Sequence, residues 1–255
     1  LAGMIHACPR PLISGDRIAL AAPARFATAG AIEAATQAIS AAGFEPILLP
    51  GLANREGQFG GTDAHRAQLL NEAFRDPEIR AVWALRGGYG CARLLPLLDG
   101  LAFRDDPTWL IGFSDVTALH GWASRQGVCS LHAPVAGTLA STENPELLWD
   151  ALRHPGAYRF GRDLGVTDGR AVVGGNLSVL FSLQGTPWFP DVAQKWLLLE
   201  DLDEFMYHID RMFNSFRIGG VLDEIQGILC GNFSDLKDNT RAFGQSVDNP
   251  FGRTA

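Results

Sequence analysis

The sequence has no Cys-x-x-Cys pair, no apolar run long enough to span a bilayer and no basic stripe. Each absence removes a class of function. The four cysteines, Cys8, Cys91, Cys129 and Cys230, stand far apart; this excludes a cysteine zinc site and a dense disulfide framework, and leaves reduced, buried thiols as the expectation. Leu1 to Pro11 lacks the charged start and apolar core of a secretion signal. A cytoplasmic protein is therefore expected, with Met4 read as the native start and Leu1 to Gly3 as an addition before it. The net charge of -7, without interleaved basic and aromatic residues, argues against nucleic acid and anionic membrane as partners. There is no Gly-Lys-Ser/Thr. Gly88-x-Gly90 is followed by Arg93 where a dinucleotide fingerprint needs glycine or alanine, so neither a phosphate loop nor a cofactor is expected.

What is present reads as an α/β protein. The 255 residues, 47% apolar, suffice for one large domain or two modest ones. Arg17 to Ala21, Glu45 to Leu49, Ala81 to Leu85, Trp109 to Gly112 and Val128 to His132 read as buried strands. They alternate with helices over Thr28–Ala42, Thr62–Phe74, Cys91–Leu98 and Val116–Gln126, the signature of an open parallel sheet. From Ala140 to Asp168 the alternation fades around one helix, Pro145 to Arg153. The domain division is therefore placed as 1–142, a linker region 143–168, and 169–255. In the second part Arg170–Val173 reads as a strand and Gly174-Gly175-Asn176 as a turn. Leu177–Leu183 follows as a helix, Trp196–Leu199 as a strand ending at Glu200, Glu204–Ile218 as a helix and Gly227–Cys230 as a last strand.

Two loops carry candidate chemistry. Trp109 to His120 reads as strand, tight turn and helix, with Ser114 on the turn. There it either presents a nucleophilic hydroxyl beside the free N–H groups of the helix or caps that helix. Arg86-Gly87-Gly88-Tyr89-Gly90 follows the neighbouring strand and can bring bare backbone N–H groups to a ligand, as an oxyanion hole requires, or can simply make a tight turn. Both loops fall beyond the carboxyl ends of strands, where ligands collect in open α/β sheets. In Glu200-Asp201-Leu202-Asp203-Glu204 most of the charge reads as a solvated helix start, while Glu200, after three leucines, projects from the end of a strand. With only His208 near ligand spacing, no metal is expected. His120 reads as packing and His132 as a ligand contact; neither has a claim to the role of base.

Taken in order, Arg86-Gly87-Gly88-Tyr89-Gly90, Gly112-Phe113-Ser114-Asp115-Val116-Thr117-Ala118-Leu119-His120, Gly174-Gly175-Asn176-Leu177 with Gly185-Thr186-Pro187, and Leu199-Glu200-Asp201 with Ile209-Asp210-Arg211 resemble the LD-carboxypeptidase family of serine peptidases. That family includes murein tetrapeptide carboxypeptidases and microcin C immunity peptidases. The resemblance implies a flavodoxin-like N-terminal domain and a smaller β-rich C-terminal domain, commonly as a homodimer. It implies a Ser–His–Glu triad with Ser114 as nucleophile and Glu200 as the carboxylate, and an oxyanion hole from the N–H groups of Gly88 and Asp115. It also implies a muropeptide substrate cut at its terminal D-alanine. Arg86 or Arg211 could hold the substrate carboxylate by chemistry alone. The family's triad histidine lies in a C-terminal segment resembling Gly-Phe-Pro-x-Gly-His, and none occurs before Ala255. The expectation is a chain lacking its natural C-terminal segment; the alternatives are an immunity-type peptidase and a non-catalytic muropeptide-binding relative.

Overall fold

The computed structural model describes residues 6–155 and 169–244. Leu1 to Gly3, much of the linker region and the end of the polar C-terminal stretch lie outside the described residues. Strands β1 (Arg17–Ala21), β2 (Glu45–Leu48), β3 (Ile79–Ala84), β4 (Trp109–Gly112) and β5 (Leu131–His132) form one sheet in the order β2-β1-β3-β4-β5. Every pairing in it is parallel.

Alternation along the strands divides the core. Ala19, Ala21, Val82, Ala84 and Leu110 pack on one face with α2 (Asp63–Arg75), α3 (Gly100–Asp105) and α4 (Thr117–Arg125). Ile18, Leu20, Ala81, Trp83, Trp109 and Ile111 pack on the other with α1 (Ala29–Ala41) and α5 (Pro145–Arg153). Strands buried on both faces read as continuous apolar runs, which is why they stand out in the sequence. Helix α5, inside the expected linker region, packs on this core: Trp149 lies against Phe44 and Trp83, with ring centroids 5.4 and 5.3 Å away. Thr28 and Thr62 cap α1 and α2 by accepting from the N–H groups of Ala31 and His65.

The second sheet has the order β6-β7-β8, also all parallel, from β6 (Val172–Asn176), β7 (Trp196–Leu202) and β8 (Gly227–Ser234). One face, through Leu197 and Leu199, packs with α6 (Leu177–Ser182) and α7 (Met206–Ile218); α8 (Val221–Glu224) closes the end.

Several expectations need correction. Gly174-Gly175-Asn176 is the end of strand β6, not a turn, because its backbone lies directly on Leu198: a Cβ on Gly174 would sit 2.1 Å from the Leu198 carbonyl oxygen. Strand β7 runs to Leu202, so Glu200 projects from within a strand, with Asn176 as its register partner. Cys91–Leu97 is a 3-10 helix containing Pro96, which cannot donate the backbone bond an α-helix needs. The fifth strand has only two residues; upstream of it Val128 bridges to Ala7 instead. Only Cys91 is buried. Cys8 precedes the sheet and is exposed, as is Cys230 on edge strand β8. No helix among the described residues is long and apolar enough to cross a membrane.

Candidate active site

The turn after β4 is the most constrained point of the first sheet. Ser114 has φ +60°, an uncommon conformation for a residue with a side chain. The turn closes with Val116 N–H donating to the Phe113 carbonyl at 3.2 Å. A Cβ on Gly112 would approach Val116 to 2.9 Å, so glycine is what lets the strand enter the turn. A short 3-10 turn, Ser114–Val116, then leads into α4. A strand-to-helix turn of this kind is one way in which hydrolases expose a nucleophile.

The glycine loop packs on this turn. A Cβ on Gly87 would lie 3.2 Å from the Ser114 Cβ and 3.4 Å from its Oγ. The two loops are tied by Asp115, whose Oδ2 accepts from the Cys91 N–H at 2.8 Å. Burial pushes the Asp115 carboxyl up, while that hydrogen bond and the positive charges of Arg66 and Arg25 oppose the rise. The Asp115 side chain is thus structural, and its backbone N–H stands next after Ser114 at the start of the helix. Gly88 has φ +114°, and its missing Cβ would fall 2.6 Å from the Cδ of Arg25.

Two arginines here have no motif to announce them. Arg66, 2% exposed, donates to the carbonyls of Gly61 at 3.2 Å, Gly90 at 3.1 Å and Pro23, and pairs with Asp63. One guanidinium therefore pins three loops at the carboxyl edge of the sheet. Arg25 crosses the glycine loop with its stem on Gly88. Of the arginines named from the sequence, Arg86 is exposed beside Gly87. Arg211 is exposed on α7 with its guanidinium 5.1 Å from the Tyr207 ring centroid.

The histidines divide clearly. His120 is buried under the turn, with Nε2 2.9 Å from the Gly112 carbonyl and Nδ1 2.8 Å from Ser130 Oγ. A carbonyl only accepts, so Nε2 carries the proton and Nδ1 accepts from the hydroxyl. Burial pushes this ring down to about 3, and it is a neutral prop for the turn.

His132, register partner of Gly112 at the end of β5, meets the second sheet. Its Nε2 is 3.8 Å from Glu200 Oε1. Burial pushes Glu200 up to about 7, with the Asp201 charge adding to the rise and a hydrogen bond from Asn176 opposing it. Asp201 was expected in a solvated helix start but is 2% exposed. It points to the other side of β7, where its carboxylate accepts from Asn176 Nδ2 and the Ser178 and Leu202 N–H groups, all at 2.9 Å.

The two sheets touch where these residues gather. The Asn176 N–H donates to Thr117 Oγ1 at 2.9 Å. A Cβ on Gly175 would lie 2.5 Å from that oxygen and 3.1 Å from His132 Nδ1. The structure thus brings Ser114, Gly87 and Asp115 together, sets Glu200 against His132, and joins the two groups through Thr117 and Gly175. A cavity of about 410 Å³ opens beside them, lined in part by Phe113, His132, Pro134 and Thr138. A second, of about 360 Å³ between Arg125 and Glu224, contains none of the predicted residues.

Residues 18–133 match the LD-carboxypeptidase N-terminal domain and residues 169–251 the LD-carboxypeptidase C-terminal domain. The chain belongs to the LD-carboxypeptidase family. It is 36% identical over 237 residues to a putative carboxypeptidase of Synechocystis, covering 90% of this chain and 77% of that protein. To a probable murein peptide carboxypeptidase of Bacillus subtilis it is 33% identical over 237 residues, covering 88% and 74%. The fold matches the solved structure of MccF in complex with glutamyl sulfamoyl guanosine at a TM-score of 0.80, over 97% of this chain and 85% of that one, with 20% identity.

Proposed function

We propose that the chain is a serine LD-carboxypeptidase that removes the terminal D-alanine from L,D-linked muropeptide tetrapeptides in cytoplasmic cell-wall recycling. The observation that carries this reading is the positive φ of Ser114 on a turn against which the glycine loop packs. Ser114 Oγ attacks the scissile carbonyl, and the N–H groups of Gly88 and Asp115 meet the oxyanion of the tetrahedral intermediate. A histidine takes the serine proton and returns it to the leaving amine of D-alanine; water then releases the acyl group by the same route. Glu200 orients that histidine. Its buried Oε1 lacks a hydrogen-bond partner among the described residues, which leaves an acceptor for an imidazole N–H. The substrate's terminal carboxylate meets Arg86 and Arg25 at the glycine loop.

The fold shared with MccF, solved with a glutamyl sulfamoyl nucleoside, supports a second reading, an immunity-type peptidase for peptidyl-nucleotides. Incubation with a muropeptide tetrapeptide and, separately, with an aminoacyl sulfamoyl nucleoside separates the two. Faster release of D-alanine from the muropeptide is expected, and cleavage of the nucleoside alone would favour the second reading.

A further inference from the structure

We infer that His132 is a positioning residue for Glu200: a neutral imidazole whose Nε2–H faces Oε1 across the seam between the two sheets and steadies the carboxylate in its ionised, working form. The inference rests on the proposed role of Glu200 and adds a second histidine to the site, distinct from the one that takes the serine proton.

Geometry separates the two roles. A base must touch Ser114, whereas His132 Nε2 points to Glu200 at 3.8 Å and its Nδ1 lies against Gly175, on the side away from the carboxylate. The ring stands edge-on to Phe113, with centroids 6.4 Å apart, and is 5.8 Å from that of His120. His132 Nδ1 and Glu200 Oε1 are both buried, and neither has a hydrogen-bond partner among the described residues. Buried polar atoms are usually satisfied, and exceptions concentrate where a site holds strain or awaits a ligand.

A simple ion-pair strut between the sheets does not fit. Burial pushes His132 down to about 4 and Glu200 up to about 7, so the imidazole is neutral wherever the carboxylate is charged. A neutral imidazole still donates through one nitrogen. With Nε2 protonated, His132 turns its N–H dipole toward Oε1 from β5 at 3.8 Å, Asn176 donates a hydrogen bond from β6, and the charge of Asp201 on β7 works against both. His120 on α4, its ring 5.8 Å from that of His132, stays neutral. Gly231 on β8 backs the Glu200 Cβ, where a side chain would come within 2.9 Å, so the carboxylate is directed toward His132.

The test compares the pH dependence of kcat/KM for the full chain, His132→Gln, His132→Leu and Ser114→Ala, together with 15N spectra of the histidines in the full chain and in Glu200→Gln. Without the donor, Glu200 ionises at higher pH. His132→Leu should therefore shift the acid limb upward by about one unit, lowering kcat/KM about tenfold at pH 6 and little at pH 9, with KM unchanged. His132→Gln, which keeps an N–H near the position of Nε2, should recover most of this. In the spectra His132 should be a neutral Nε2–H tautomer down to pH 5, and Glu200→Gln should move its resonances. A His132→Leu loss equal at every pH, or no recovery with Gln, overturns the inference. So does a His132 that protonates near pH 6.5 regardless of Glu200, a readout that needs no turnover. Full activity in Ser114→Ala would overturn the serine-peptidase reading instead, leaving the spectra to decide on His132.

Discussion

Glu200 carries an electrostatic cost. Its carboxyl ionises at about 7 in the folded protein, against an ordinary value of 4.5, so the folded state holds the proton more tightly than the unfolded one. The resulting loss of stability begins as pH rises past 4.5 and is complete above 7. Glu200→Gln removes it. Thermal unfolding should show the variant more stable than the parent at pH 8, by at most about 3 kcal/mol, and nearly equal to it at pH 4. A variant less stable at pH 8 would mean that Asn176 and His132 together outweigh the cost of burying the carboxylate. Among single residues, the sequence singled out Ser114 and Gly88 because each follows an apolar strand, and Glu200 because it follows three leucines, although it lies within β7. It was silent on Arg66 and Arg25, since nothing local marks an arginine whose partners lie in other loops, and it could not pair His132 with Glu200 across 68 positions of chain.

At the scale of elements, β1, β3 and β4 were legible because burial on both faces makes them nearly continuous apolar runs. The end of β6 was not. Two glycines before an asparagine match turn preferences, yet here they are strand residues without side chains because the Leu198 backbone, Thr117 and His132 occupy that space. Gly175→Ala tests this directly. With φ at +138° and Thr117 Oγ1 2.5 Å from the new methyl, the substitution should cost about 3 kcal/mol, read as a fall of roughly 10 °C in Tm. An unchanged Tm would show that the seam yields. The loops at the carboxyl edge depend on Arg66 in the same way. Arg66→Leu strands the carbonyls of Pro23, Gly61 and Gly90 and should cost about 3 kcal/mol or more in urea unfolding. A loss near zero would mean that those loops hold themselves.

In the whole molecule, the proposed site draws on both sheets. The first carries Ser114 and the glycine loop at its carboxyl edge; the second carries Glu200, which faces His132 near the contact of Gly175 and Asn176 with Thr117. The order of motifs along the chain was legible and led to the LD-carboxypeptidase family, whereas their convergence depends on how two separate sheets dock, which no local pattern encodes. The most direct measurement is D-alanine release from a muropeptide tetrapeptide by the full-length protein and by its Ser114→Ala variant, with both shown to be folded. Release by the full-length protein is expected, with a loss on the order of a thousandfold or more in the variant. Release by Ser114→Ala at the parental rate would contradict the role of Ser114 as nucleophile.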